Sequence, residues 1–556
     1  SLLGLFYHEI YYAVVKAIRT PLHQMIAGFA GDMYEPIALV NVPFSYIQGL
    51  AYLEDGGRYN DGYFLQILAQ AKLDDTFPGY FECSVNYDIY PGNDLLYAAT
   101  SGFISYLIQA YGAELFDSFW QECGGMYLYF MPGIIYKIYH KPIWDLWDEY
   151  KDSIPLPDDF YEMEKLQKNV QKVFPRDREG SYQYVFNSDY GLVWYDAIRH
   201  EVSLYDSNSV FKLRQLLFLT DGVDRLSLAP DGRYMAISYK QSKNRPEFDK
   251  NNVRIYDLKK REILDYKFYL RDAAIVLSDK GENVLAGINV ESKYPKLQIW
   301  TLPEDEDDCS LIFEKSFERT AIPSSITAAG NGKLSFIITK NNNSILSQIN
   351  FYDGSEKFWE LSELSESGEK DLNFKGLNLV NQNTAKAQQS EEDFIYTFQY
   401  VPREGNSFTR MGYISLDKNF EPKNLYLQTV DLEGGVYNPF LNNDYLYYIS
   451  KKVDHSELCY IPAQLLPFEE GLLYTVDVEK DSFNFEPLEL DFSKKELNGH
   501  KLSGYWPIKY MFPPGFQLFL PIRTISMTEG TGLWPGLGVN FSTESDPFMN
   551  NKIQFS

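Results

Sequence analysis

His8 and Glu9 stand side by side near the start of the chain, in His8-Glu9-Ile10-Tyr11-Tyr12. On a helix, a His-Glu pair with a second histidine four residues after the first puts both imidazoles on one face. They can then grip a zinc ion while the glutamate takes a proton from metal-bound water. Here Tyr12 holds the second imidazole's place. A phenol ionises at a pKa of about 10, so it is a poor metal ligand at neutral pH. Glu9 remains as a relic general base, with no evident nucleophile or acid partner. His23 lies beyond Pro21, roughly 22 Å away along a continuous helix, and cannot substitute. Asp32 and Glu35 fall in a loop and stay open as stand-ins. Glu54 falls on a different helical face from Gln48.

The elements around the pair read as helical over residues 1–150. "YYAVVKAIRTPLHQMIAGF" has apolar residues at helical spacing and a break at Pro21, and "DGYFLQILAQAKL" is a second amphipathic stretch. "LLYAATSGFISYLIQAYGAELFDSFWQEC" follows, with Gly112 as a stop before a further helix. "IYKIYHKPIWDLWDEYKDSI" reads as one closing helix, with Trp144, Trp147 and Tyr150 as core residues.

Two of these segments resemble gluzincin (peptidase MA-like) metallopeptidases. Pro43 to Glu54, "PFSYIQGLAYLE", is similar to that family's "P-x-W-x-x-E-G-x-A-x-Y-x-E" segment, and Gly102 to Gly112 is similar to its "G-x-F-x-x-Y-L-x-x-x-Y-G". The resemblance implies that residue 48 is the third zinc ligand. It is Gln48 here, a neutral amide in place of a carboxylate. With Tyr12 and Gln48 both changed, the resemblance implies a retired enzyme. His8, Tyr12 and Gln48 would be relic metal positions, with no cofactor expected. Zinc returns only under the alternative of an active metallopeptidase with a substituted ligand set.

The formal net charge is −26, and so acidic a chain repels phosphate backbones, which argues against nucleic acid as a partner. Hydrophobic content of 45% marks a globular chain. None of the four cysteines forms C-x-x-C; Cys83 and Cys123 share the helical region and could pair in an oxidising compartment. The acidic run Glu304-Asp305-Glu306-Asp307-Asp308 lacks the spacing of a calcium loop and reads as a solvated inter-blade loop. No G-x-S-x-G, Cys-His signature or P-loop is present, and no segment reads as a transmembrane helix.

Residues 151–178 read as a linker around a short helix. From 179 to 470 the chain turns to short strands rich in Val, Ile, Tyr and Phe, with Gly, Asn and Asp turns, in six repeating units. Leu228-Ala229-Pro230-Asp231-Gly232-Arg233 is the clearest turn, and it resembles the "S-P-D-G" turn of TolB-like propellers. Six units predict a six-bladed β-propeller. The fifth unit is read from Asp393 onward. The tail, 471–556, ends in "LGVNF" and "KIQFS", which alternate as strands and resemble the start of an outer-membrane β-barrel.

The expected fold is thus multi-domain: a mainly α gluzincin-like domain, an all-β six-bladed TolB-like propeller and a short β C-terminal segment. By resemblance it belongs to the bacterial envelope, in the periplasm or at the outer membrane. The expected function is non-catalytic binding of a protein or peptide partner through the inactive cleft or a propeller face. The alternatives are the active zinc enzyme and the soluble part of a barrel-type transport or assembly protein.

Overall fold

The computed structural model describes residues 42–54, 62–84, 93–123, 130–174, 180–205 and 214–476, the last span with short gaps, of which 242–249 and 382–393 are the longest, and the strands 541–544 and 552–555. These residues are predominantly β, with helices gathered before residue 170.

The helices are α1 (Phe44–Glu54), α2 (Tyr63–Leu73), α3 (Asn93–Tyr111), α4 (Ala113–Cys123), α5 (Phe130–Tyr139), α6 (Ile143–Ser153) and α7 (Phe160–Gln167). Gly112, at φ 90°, separates α3 from α4, as the glycine predicts. The expected single closing helix is two helices, α5 and α6. His140 leaves the α-helical region at φ 56° and Pro142 has no N–H to continue the ladder, so the chain turns there.

The chain divides into two compact units. In the first, α1 packs on α3, and the contact is possible because residue 49 is glycine. A Cβ there would lie 2.5 Å from Thr100 Oγ1 and 2.8 Å from the Ser101 backbone nitrogen. Tyr46, Phe103, Trp147 and Tyr150 form its buried aromatic core. Trp144, expected in that core, is 56% exposed, since the buried stripe of α6 runs through Ile143, Leu146, Trp147 and Tyr150 and leaves residue 144 to one side. Cys83 and Cys123 are buried free thiols, not a disulfide, and burial pushes both well above the ordinary thiol range.

The second unit contains all the β-sheet structure except the two strands of the tail, with α7 and also α2, although α2 precedes the rest of it in sequence. Six groups of four antiparallel strands follow one another: β2–β5 (182–219), β6–β9 (223–268), β10–β13 (271–316), β14–β17 (322–365), β19–β22 (374–428), and β23–β25 (437–462) completed by β1 (Gln171–Lys172). The first strand of each group is innermost: β2 (Tyr182–Ser188), β6 (Val223–Leu228), β10 (Arg271–Leu277), β14 (Ile322–Ala328), β19 (Phe374–Asn381) and β23 (Tyr437–Asn442). The outer strands include β17 (Glu356–Ser365), which also pairs with the short β18 (Gly368–Asp371), β22 (Pro422–Gln428) and β25 (Ser456–Pro462). These inner strands touch in the order β2, β6, β10, β14, β19, β23, and β23 touches β2 again, so the ring closes as a β-propeller. Apolar layers between neighbouring blades hold it together, such as Ala286, Ile299, Leu334 and Phe336 between the third and fourth.

The ring closes through β1, which pairs antiparallel with β25. That strand lies in the stretch expected to be linker, and two residues carry no period to read. A further strand, β26 (Phe468–Val476), pairs with the outer strands β17 and β22, joining the fourth and fifth blades into one sheet. The fifth blade begins at Phe374, before the expected Asp393, because 382–393 separates its inner strand from the rest. Asp308 lies between β12 and β13, within the third blade and not between blades as expected; Glu304, Asp305, Glu306 and Asp307 lie outside the described residues. In the tail, β27 (Phe541–Glu544) pairs with β28 (Lys552–Phe555). The second matches the expected strand; the first is displaced to the residues following "LGVN".

Candidate functional site: the propeller channel

The turns after the inner strands repeat a local rule. In Ala229-Pro230-Asp231-Gly232, Gly232 has φ 68° and its N–H donates to the Ala229 carbonyl at 2.9 Å. Ser278 to Gly281 repeats it in the next blade, with φ 80° and 3.0 Å. Glycine supplies the left-handed backbone that these turns need.

Near its other end every inner strand is irregular. The pairing slips within Tyr182/Tyr184, Val223/Arg225, Arg271/Ala274, Ser324/Thr327, Lys375/Asn378 and Tyr437/Phe440. A bulge frees a residue from its own sheet and re-aims its polar groups. Here they turn to the next blade. Tyr184 donates its hydroxyl to the Asp224 carbonyl. Arg225 pairs with Asp272 at 3.2 Å, and the Ser325 N–H reaches the same carboxylate at 3.1 Å. The Gly376 N–H donates to Ser325 Oγ at 3.2 Å, the Asn438 N–H to Gln399 Oε1 at 2.9 Å, and Asn438 Nδ2 to the Val185 carbonyl at 2.9 Å. The hydrogen bonds therefore run through all six blades and return to the first.

Arg225 is the central member. It is 7% exposed, and its Nη2 also donates to the carbonyls of Ile326, 2.9 Å, and Leu377, 3.1 Å. One guanidinium thus ties the second blade to the third, fourth and fifth, which a planar fork with five donors can do and an ammonium cannot. Burial pushes the Tyr184 phenol up to about 12, so it remains a donor at neutral pH. Burial also raises the Asp224 carboxyl above its ordinary range, against the pull of Lys240.

Above Arg225 the channel widens into a cavity of about 680 Å³ at the glycine-turn end. Its wall mixes carboxamides, Asn187, Asn331, Asn378 and Asn442, with phenyl rings, Phe186, Phe394, Phe420 and Phe440, contributed by four blades. The rings of Phe394 and Phe420 lie 4.9 Å apart. Such a wall can hydrogen-bond amides and bury apolar side chains, with Arg225 and Ser227 at its floor.

Of the residues singled out in the sequence, His8, Glu9 and Tyr12 lie outside the described residues. Gln48 lies on α1, half-buried. No cluster of three or more metal-ligating side chains occurs among the described residues. Arg225 escaped the sequence reading. Its signal was a charged pair, Asp224-Arg225, inside a strand whose neighbours Val223, Leu226 and Leu228 are apolar. A charge at a core position is informative when a partner must be found for it.

No family model matches the chain. An uncharacterised protein of Treponema pallidum (strain Nichols) is 26% identical over 240 residues, which is 43% of this chain. The aligned part is 20% of that relative's length. Among solved structures, a prolyl endopeptidase is similar at TM-score 0.33 and 9% identity, over 58% of this chain and 53% of its own. A gluconolactonase from Xanthomonas campestris gives 0.31 and 10%, over 54% and 89%. The β-propeller domain of the trilobed protease from Pyrococcus furiosus gives 0.27 and 11%, over 54% and 84%.

Proposed function

We propose that this chain is a binding protein whose propeller takes a polypeptide segment at the glycine-turn end of its channel. The observation that carries this reading is the cavity wall of carboxamides and phenyl rings drawn from four blades. A carboxamide offers one acceptor and two donors, the complement of a peptide group, and phenyl rings accept apolar side chains at small cost in conformational entropy. Arg225 is held by three other blades through Nη1 and Nη2, so it shapes the floor of the cavity.

The test is selection of binding peptides from a displayed random library against the full chain. Enriched peptides should lose about tenfold or more in affinity to Asn187→Leu and to Phe394→Ala, a loss of about 1.4 kcal/mol or more. Enrichment of no peptide, or peptides indifferent to both substitutions, would overturn the reading.

The finer reading is that the helical unit descends from a gluzincin-like peptidase, that the propeller is TolB-like, and that the protein works in a bacterial envelope. What supports the first part is limited to the two quoted segments: both fold as helices, α1 and α3, and meet through Gly49. Envelope location and outer-membrane association rest on the resemblance alone. Restoring Tyr12→His and Gln48→Glu together should create zinc affinity measurable by calorimetry. If the double variant binds zinc no better than the parent, that ancestry is abandoned, while the channel reading stands.

A further inference from the structure

The opposite end of the channel carries a second cavity, of about 590 Å³, built from α2, the loop between β20 (Phe394–Tyr400) and β21 (Arg410–Leu416), and the leading ends of β19 and β23. The chain as a whole is strongly acidic, yet among the described residues no carboxylate lines this cavity, while Lys375, Arg403 and Lys451 do; Glu404, next to Arg403 in sequence, lies outside the described residues. Lys375 is exposed. Arg403 uses its backbone N–H on Glu363 and its Nε on the Asp371 carbonyl, and Lys451 Nζ lies 3.9 Å from the centre of the Tyr437 ring.

The lining amides point the same way. The Asn438 backbone N–H donates to Gln399 Oε1, which fixes that carboxamide with its oxygen turned to the protein and its N–H2 turned away. Gln66, 8% exposed, has both side-chain hydrogen bonds on its oxygen, from Thr409 Oγ1 at 3.1 Å and the Tyr437 hydroxyl at 3.5 Å. Its N–H2 is left as donors toward the cavity that it lines. The wall therefore presents cations and N–H donors, with Tyr400, Phe408 and Pro402 as apolar surface.

We propose that this cavity binds a small oxyanion-bearing organic molecule, a carboxylate or a phosphate held by Lys375 and the two amides. The geometry is independent of the peptide reading, because it uses the other end of the channel. Three cations together in so acidic a chain form a local well for an anion, and charge-assisted hydrogen bonds there are about twice as strong as neutral ones.

Calorimetric titration of the full chain with inorganic phosphate and, separately, citrate tests this, at fixed ionic strength against sodium chloride. Saturable one-to-one binding of at least one probe is expected, and which probe binds tells phosphate from carboxylate. Lys375→Glu and Gln399→Glu should each weaken it by about tenfold or more. The second keeps the acceptor for Asn438 and only replaces donors by a negative oxygen. Lys280→Glu, an equal charge change on an exposed turn outside the cavity, should alter it by less than about twofold. Overturning results are no binding of either probe beyond chloride, unchanged binding in both cavity variants, or equal weakening in all three.

Discussion

Replacing Arg225 by methionine keeps an unbranched apolar stem and removes only the fork. The change strands the Asp272 carboxylate with the Ser325 N–H as its one remaining named donor, and strips the carbonyls of Ile326 and Leu377 of their shared Nη2. Removing one partner of a buried pair costs about 3–5 kcal/mol, and each orphaned carbonyl adds about 1–3 kcal/mol where water cannot reach it. Water can reach it here, because Arg225 lines the channel cavity and Asp272 is 17% exposed on its side chain. The lower bound therefore applies, about 3 kcal/mol. Hydrogen exchange read by mass spectrometry on the inner strands β10, β14 and β19 is the assay, since the helical unit would blur a single unfolding curve. Exchange through opening of the ring should accelerate by about a hundredfold. Asp272→Asn retains the shape and should cost about 1 kcal/mol, and the double variant should cost less than the two singles combined. A loss under about 1 kcal/mol for Arg225→Met, or strict additivity in the double variant, would refute the view that this guanidinium holds the ring.

Two further perturbations probe other joints. Gly49→Ala should lower the melting temperature of the helical unit, at a cost of about 1–3 kcal/mol, because the new methyl meets backbone and Thr100 rather than a movable side-chain tip; an unchanged melt would mean that α1 does not press on α3. The ring seam should be sensitive to pH in both directions. Burial pushes Glu457 up, but Lys172 and His455 outweigh it and hold the carboxyl below its ordinary 4.5. Burial pushes His455 down, but Asp454 and Glu457 outweigh it and raise the imidazole above 6.5. Glu457's contribution is thus present above 4.5 and lost as pH falls through its lower native value. That of His455 is present below 6.5 and lost as pH rises through its higher native value. Protection of the Val173 amide, which donates to the Leu458 carbonyl at 2.8 Å, should be greatest between those limits after correction for intrinsic exchange. Glu457→Gln should flatten the acid side, and a profile that keeps its acid limb would disprove the assignment.

The propeller was legible because its turns are chemical. Asp231-Gly232 and its counterpart Lys280-Gly281 need a left-handed residue, and the apolar runs beside them can only be strands. What escaped is what has no local signature. β1 is two residues long and owes its conformation to β25, a partner almost three hundred residues away. The sequence marks α2 as a helix but not that it belongs with the propeller, because that depends on Gln66 meeting Thr409 and Tyr437. The expected metal positions turned on a short motif, and Gln48 is the one of them that falls within the described residues, on a helix whose glycine is explained by packing alone. The channel residues were hidden for a different reason. The bulges that aim Arg225, Ser325 and Asn438 at neighbouring blades arise from inter-blade geometry, while the strand period alone assigns such residues to one face or the other.

A strand as short as β1 cannot find its place by pairing alone, since a two-residue ladder offers too few hydrogen bonds to offset the closing of so long a loop. Something must deliver it, and α7 is suited to do so. Asp159, just before α7, shares Arg410 with Asp431: Arg410 Nε donates to Asp431 Oδ1 at 2.6 Å and Nη2 to Asp159 Oδ2 at 3.2 Å. Asp159 also accepts the Asp431 N–H at 2.6 Å, and Asp158 accepts the Asn406 N–H at 3.0 Å. Leu166 and Val170 then pack beside Met411 and Tyr448, which fixes the chain up to the residue immediately before β1. Burial pushes Asp431 up to about 7 against the pull of Arg410, so the network is held at a cost that only the intact pair offsets. Arg410→Met should therefore release α7 at a cost of about 3–5 kcal/mol and, with it, the β1–β25 seam. Limited proteolysis should cut within 155–170 in the variant and not in the parent, and the Val173 amide should lose its protection although Arg410 touches neither β1 nor β25. If the seam stays protected while α7 becomes cleavable, β1 closes the ring by itself and the delivery argument fails.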